Sequence, residues 1–132
     1  ISVRRGESDR EAVRRMREVV REGGALGLFA EGTRQRSGVP GEVQAGAAMA
    51  AIQEGVPVVC AAIHGTQDWQ LGNRHPVSVA WGEPIRFDGL PRNAKGYREG
   101  SHEIQVEIRR LWDFLVEMHA LGRPRHAPPP PR

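Results

Sequence analysis

Two short apolar runs, residues 25–30 and 56–63, alternate along the chain with segments whose apolar residues recur at helical spacing. Each run is bounded by glycine or proline, and its length suits a strand buried on both faces. Helical patterns cover residues 9–22, 42–54 and 101–120. Because strands that alternate with helices are typical of βαβ units, the chain is predicted to be α/β, with a partial, mostly parallel sheet and crossover helices.

Shorter strands are predicted at residues 1–3 and 78–81, so that the sheet has few strands and is expected to lack an edge supplied by a missing N-terminal part. Residues 88–100 contain three glycines and a proline and are interpreted as a surface connection. The domain is predicted to span residues 1–121. Residues 122–132, rich in arginine and proline, are predicted to form a disordered tail.

The charge balance and the cysteine count exclude several classes of function. The net charge of +3 comes from 19 basic and 16 acidic side chains, but the last eleven residues carry three arginines and no acid. Residues 1–121 are therefore neutral overall, and a nucleic-acid partner is not expected. The single cysteine, Cys60, excludes an internal disulfide and a Cys-x-x-Cys metal pair. A reducing compartment fits best.

A polar loop follows the first apolar run, with the order Phe-Ala-Glu-Gly-Thr-Arg-Gln-Arg over residues 29–36. It leaves the C-terminal end of a predicted parallel strand, where α/β proteins bind ligands. Gly32 allows the backbone to approach a ligand, and Thr33 offers a hydroxyl. Arg34 and Arg36 offer guanidinium groups that suit phosphate oxygens.

This order resembles the third conserved block of the glycerolipid acyltransferases, the PlsC-like or lysophosphatidic acid acyltransferase family. The family usually has proline where this chain has Ala30. Residues 1–4, Ile-Ser-Val-Arg, resemble the end of the second block, and residues 55–59, Gly-Val-Pro-Val-Val, resemble the fourth. The resemblance covers about residues 1–87.

The resemblance implies transfer of an acyl group from acyl-CoA or acyl carrier protein to the free hydroxyl of 1-acylglycerol-3-phosphate, giving phosphatidate for phospholipid biosynthesis. It also implies a membrane-associated enzyme at the cytoplasmic face of the cell membrane that requires neither a metal nor a cofactor. The residues expected to bind the acceptor phosphate are Arg4, Glu31, Gly32, Thr33 and Arg34. Supporting roles are expected for Arg36, Val56 and Pro57.

Arg4 and Arg34 each follow a predicted strand, and the helix over residues 9–22 joins the two strands. A right-handed crossover would make these strands parallel and bring both arginines to one edge of the sheet. Glu31 is expected to orient an arginine or to accept a hydrogen bond from a substrate hydroxyl. Without the resemblance, a solvated charged turn is an equally good interpretation of the loop.

The family's first block, a His-x-x-x-x-Asp that supplies the general base, does not occur in the sequence. The nearest approach is His64 with Asp68, one residue too close, and His64 is interpreted as a strand-end or loop histidine. We therefore expect no catalytic residue in this chain, a base upstream of Ile1 and no activity of the chain alone. The alternative interpretation is a non-catalytic anion- or lipid-binding α/β module.

Overall fold

The computed structural model describes residues 9–33, 35–122 and 127–132. These residues form three helices and a two-stranded sheet, a mixed α/β arrangement. In chain order the elements are α1 (Asp9–Arg21), α2 (Ala45–Glu54), β1 (Val58–His64), β2 (Ser78–Ile85) and α3 (Ala94–Ala120).

The two strands pair antiparallel, with Val58 opposite Ile85 and His64 opposite Ser78. They do not confirm the predicted parallel sheet with crossovers. Two consecutive parallel strands require a crossover connection, which is usually a helix. Residues 65–77, which join β1 to β2, contain no helix. The strand predicted at residues 1–3 lies outside the described residues.

The apolar run at residues 25–30 forms no strand, contrary to prediction. Phe29 is 87% exposed and Leu28 is 45% exposed. A strand needs a neighbouring strand to pair with, and neither β1 nor β2 pairs with this run. The run is apolar enough for a strand, but no strand among the described residues lies beside it.

All three predicted helices form, although two of them start elsewhere. α2 begins at Ala45 and not at residue 42, because Gln44 is still extended, with ψ 152°. α3 begins at Ala94, seven residues before its predicted start. The Asn93 side chain accepts hydrogen bonds from the backbone N–H groups of Lys95 and Gly96, and so caps a helix that sequence reasoning began later.

Two of the three glycines that indicated a surface connection are packing positions of α3. A Cβ on Gly96 would overlap the carbonyl oxygen of Pro91. On Gly100, it would lie 3.1 Å from the Ile52 side chain and 3.2 Å from the Ala48 side chain of α2. Their lack of a side chain lets α3 approach α2 closely, which outweighs the modest cost of glycine inside a helix.

The core lies between one face of the sheet and the helices α2 and α3. Cys60 and Ala62 of β1 and Ala80 of β2 turn inward, so alternate residues of the strands are buried. The outer face carries exposed apolar side chains, among them Trp81 at 64%. The largest fully buried apolar residues are Ile85, Ile104 and Leu111.

A buried carboxylate joins α3 to β2. Glu107 is 1% exposed, and the Arg110 guanidinium donates two hydrogen bonds to it, at 2.7 and 2.9 Å. These bonds hold the pKa of Glu107 below its usual range, although burial opposes them. A Cβ on Gly82 would overlap the Glu107 carboxylate. Burial, reinforced by the Glu107 charge, raises the pKa of the Cys60 thiol to about 11.

Two arginines of α1 contact Glu54 at the end of α2. The Glu54 carboxylate accepts hydrogen bonds from Arg21, at 2.7 Å, and from Arg17. Both bonds lower the pKa of the Glu54 carboxyl. α1 is thereby fixed to α2 by charge as well as by packing.

Residues 127–132 form neither helix nor strand. Arg110 donates a hydrogen bond to the carbonyl of Pro130, and the Arg132 Nε lies 3.6 Å from Glu107 Oε2. The division of the chain into a domain of residues 1–121 and a disordered tail stays a prediction.

Candidate phosphate-binding loop

The loop at residues 30–44 connects the unpaired apolar run to α2. Its two ends meet where the Gln44 N–H donates a hydrogen bond of 2.8 Å to the carbonyl of Ala30. Next to this contact, the Gly32 N–H donates to the carbonyl of Phe29 at 3.0 Å, and Gly32 has a φ of +67°. Side chains disfavour that left-handed conformation, so the turn requires glycine.

The carboxylate of Glu31 is directed into the loop. Its Oε2 accepts a hydrogen bond from the backbone N–H of Gly41 at 2.8 Å. A Cβ on Gly41 would lie 3.0 Å from that oxygen and 2.7 Å from Cδ of Gln35. Glu31 therefore closes the loop on itself, an arrangement that the sequence did not predict.

One face of α3 holds the other side of this loop. The Gln105 amide accepts from the Val43 N–H at 2.7 Å and donates to the carbonyl of Gly41 at 3.0 Å. One turn later, the Arg109 guanidinium donates to the carbonyl of Pro40 at 3.0 Å. These three bonds all end on backbone atoms of the loop.

Trp112 adds a fourth bond from the same helix face. Its indole N–H donates to the carbonyl of Gly38 at 3.1 Å, while its ring packs partly against the core. The spacing of Gln105, Arg109 and Trp112, four and then three residues, places them on one helical face. Sequence reasoning missed these loop contacts; two polar residues in line with Trp112 were the available signal.

The residues predicted to bind phosphate fall into three groups. Gly32 and Thr33 are exposed together at the turn, and Arg36 is exposed further along the loop. Arg4 and Arg34 lie outside the described residues, so their predicted convergence stays a prediction.

Val56 and Pro57 lie at the opposite end of α2 from this turn. The Val56 N–H donates to the carbonyl of Ala51 in the last turn of α2, whereas the loop ends at the first turn. A helix of ten residues is about 15 Å long. The structure therefore does not bring these two residues to the turn.

The first turn of α2 lies beside Gly32 and has no side-chain cap. Gln44, its N-cap residue, makes no side-chain capping bond, and the first turn contains no acidic residue. A Cβ on Gly32 would lie 3.4 Å from Cγ of Gln44, so the turn and the helix end are in contact. Uncapped N–H groups and the positive end of the helix dipole favour an anion there.

His64 is the last residue of β1, and its ring packs between two others. The ring centroids are 5.9 Å from Trp112 and 4.4 Å from His119, and His119 Nε2 lies 2.9 Å from Ser78 Oγ. Among the described residues, none forms a hydrogen bond with the buried Nδ1 atom of His64. These contacts are typical of a packed strand-end histidine.

Within the described ranges, no group of three or more His, Cys, Asp and Glu side chains could hold a metal ion. None of the described helices is long and apolar enough to cross a membrane.

Comparison with known proteins supports an acyltransferase. The family model described as Acyltransferase matches residues 1–64 of the 132, in agreement with the predicted resemblance. The match includes the turn at Gly32, the whole 30–44 loop and α2. No curated protein and no solved structure matches the chain.

Proposed function

We propose that this chain binds the acceptor in an acyl transfer to 1-acylglycerol-3-phosphate, with the acceptor phosphate at the turn formed by Gly32 and Thr33. The observation that carries the proposal is the contact between this turn and the uncapped first turn of α2. A phosphate there would accept hydrogen bonds from backbone N–H groups and from the Thr33 hydroxyl. The positive end of the α2 dipole adds to the attraction.

The arginines supply the remaining positive charge in this proposal. The exposed guanidinium of Arg36 is near the turn in sequence, and the resemblance to the acyltransferases assigns Arg34 and Arg4 to the same phosphate. Glu31 has another task, because its carboxylate is bonded to the Gly41 N–H. It fixes the shape of the loop and leaves the phosphate to Thr33 and the arginines.

Exposed apolar side chains directly before the turn support a lipid acceptor. Leu28 and Phe29 are open to solvent, four and three residues before Gly32. An acceptor with its phosphate at the turn would place its glycerol and acyl chain near this run. We propose that the run contacts the acyl chain at the cytoplasmic face of the cell membrane, where burial of an aromatic ring contributes about 1.5–3 kcal/mol.

The proposed reaction needs a base that the printed sequence does not contain. The base takes the proton of the free acceptor hydroxyl, and the oxygen attacks the thioester carbonyl of acyl-CoA or acyl carrier protein. The C–S bond then breaks, the thiolate takes up a proton, and phosphatidate is formed. We propose that a His-x-x-x-x-Asp outside the printed sequence supplies the base, and that this chain contributes acceptor binding and positioning.

The binding experiment compares 1-acylglycerol-3-phosphate with 1-acylglycerol, which lacks the phosphate. We expect the printed chain to bind the phosphorylated lipid more tightly, and Arg34→Ala to weaken that binding about 10- to 150-fold, because a charged hydrogen bond contributes about 1.5–3 kcal/mol. Arg98→Ala removes an equal charge from an exposed site on α3 and is the matched control. Equal affinity for both lipids, or equal losses in both variants, would refute the proposed phosphate site.

A second candidate function is a non-catalytic anion- or lipid-binding module, and the absence of His-x-x-x-x-Asp from the sequence favours it. The two candidates differ in what precedes Ile1 in the coding sequence. The acyltransferase proposal expects a His-x-x-x-x-Asp there, and it expects acyl transfer when that segment and this chain are produced as one protein. The module proposal expects lipid binding without transfer.

A further inference from the structure

A second, separate cleft opens at the far end of α2 from the 30–44 loop, with a volume of about 150 Å³. Its polar wall follows β2 and includes Arg86, Asp88 and Arg92. Apolar residues provide the rest of the lining: Ala51, Ile52, Val56, Phe87 and Leu90. The cleft thus combines two exposed guanidinium groups with a smaller apolar floor, of which Val56 and Leu90 are the partly exposed members.

The two guanidinium groups in this cleft are not neutralised by the described residues. Arg17, Arg21 and Arg110 each pair with a buried carboxylate, at Glu54 or Glu107. In the described part of the chain, Arg86 and Arg92 form no ion pair and donate no hydrogen bond, even to Asp88 in the same wall. Two cations and one anion leave the cleft with a net charge of +1.

We propose that this cleft binds a phosphate ester, at a site distinct from the acceptor turn. Two arginines that share one cleft can each direct paired N–H donors at phosphate oxygens. Gly89, which also lines the cleft, has a φ of +96° and no side chain to obstruct a ligand. The cleft volume is several times that of a water molecule, so a phosphate group fits.

The apolar floor selects the kind of phosphate compound. Free phosphate would interact with the arginines alone, whereas an ester carries an apolar group that can cover the partly exposed side chains of Val56 and Leu90. A soluble phosphate ester and a lipid headgroup share this chemistry. The experiment therefore includes both sources.

The probe is phenyl phosphate. Inorganic phosphate and phenol, each of which carries one half of the probe, are titrated for comparison. All titrations use the printed chain carrying Arg34→Ala, so that the acceptor turn is weakened and the two sites are told apart. We expect phenyl phosphate to bind more tightly than either half. Amide NMR shifts should centre on Gly55 and Gly89 and not on Gly32.

The variant pair tests the arginines directly. Arg86→Gln combined with Arg92→Gln is expected to weaken phenyl phosphate binding at least tenfold, because each charged hydrogen bond accounts for about that factor. Arg98→Gln, on an exposed turn of α3 outside the cleft, should leave the affinity unchanged. Asp88→Asn should tighten binding a few-fold by removing the carboxylate from the wall.

Vesicles that contain phosphatidate provide the lipid arm, compared with vesicles of neutral lipid only. If phosphatidate vesicles bind and the Arg86→Gln, Arg92→Gln variant loses that binding, a lipid headgroup is the source and the proposal is supported. If phenyl phosphate binds and the same variant loses that binding, the proposal is also supported. The proposal is overturned if neither binds, or if the double variant, with an unchanged near-ultraviolet circular dichroism spectrum, binds like the control. Loss of acceptor binding at Gly32 and Thr33 would leave this result unaffected.

Discussion

Glu31 and Gly41 are joined by a hydrogen bond of 2.8 Å that closes the 30–44 loop on itself. The carboxylate lies directly before the Gly-Thr turn, so its position determines where that turn is held. Sequence reasoning assigned this acid to an arginine or a substrate hydroxyl, whereas the backbone N–H of Gly41 is its partner in the structure.

Removing the Glu31 carboxylate should loosen the loop. We expect Glu31→Ala to lower the free energy of unfolding by about 1–2 kcal/mol, because a charged hydrogen bond at a half-buried site is lost. Glu31→Gln keeps an oxygen acceptor and should cost less than half as much. Urea unfolding measures the loss, and hydrogen exchange at the Gly41 amide locates it; unchanged exchange in Glu31→Ala would contradict the assigned bond.

Gln105 should contribute more to the free energy of unfolding than its exposed neighbours on α3. Gln105→Leu leaves the Val43 N–H without an acceptor, and Val43 is 8% exposed, so the cost should be about 1–3 kcal/mol. The control is His102→Leu, an exposed position one turn earlier. Urea unfolding of both variants checks this, and equal stabilities would show that the Gln105 amide does not hold the loop.

Acid should destabilise the fold partly through Glu107. Its pKa is lowered by the Arg110 hydrogen bonds in the folded state, so the unfolded chain takes up the proton first as the pH falls. The stability from this group is present above its ordinary pKa of 4.5 and is lost as the pH falls towards the folded value. Glu107→Gln should flatten the stability profile measured by urea unfolding between pH 6 and pH 3. A profile as steep as that of the unsubstituted chain would refute this.

Alkali should destabilise the fold through Cys60. Burial raises the pKa of its thiol from 9.0 to about 11, so the unfolded state loses the proton first. The free energy of unfolding should therefore fall as the pH rises from about 9 to about 11, and Cys60→Ala should remove this part of the slope. Iodoacetamide offers an independent readout: the folded chain should react far more slowly at pH 9 than the urea-unfolded chain. Equal rates would contradict a buried, protonated thiol.

The sequence predicted α1 almost to the residue, because apolar residues at helical spacing between charges leave few alternatives. It misplaced the start of α3, because Gly96 and Gly100 have the composition of a loop, yet they serve close contacts with Pro91 and α2. Whether a glycine belongs to a loop or to a close helix contact depends on which element packs opposite it. The local sequence pattern does not contain that information. For the same reason, the apolar run at residues 25–30 indicated a strand without indicating its neighbours.

The sequence indicated which segment forms the candidate site, but not how the side chains and backbone of that segment are arranged. The order of residues 29–36 indicated the loop and its family, and the family match includes it. The partners of Glu31 and Trp112 are backbone groups, which every residue carries, so no residue type could have indicated them. Val56 and Pro57 were grouped with the turn by resemblance alone, and the length of α2 separates them from it.

The way α3 holds the 30–44 loop has a consequence for redesign. Gln105, Arg109 and Trp112 bind backbone atoms only, so the hold does not depend on which side chains the loop presents. Side chains at exposed positions such as Thr33 and Arg36 can be exchanged while the anchor points stay in place. The helix holds the loop backbone in place, and libraries that vary the turn while keeping Gly32, Gly38 and Gly41 would alter acceptor preference if the proposed phosphate site is correct.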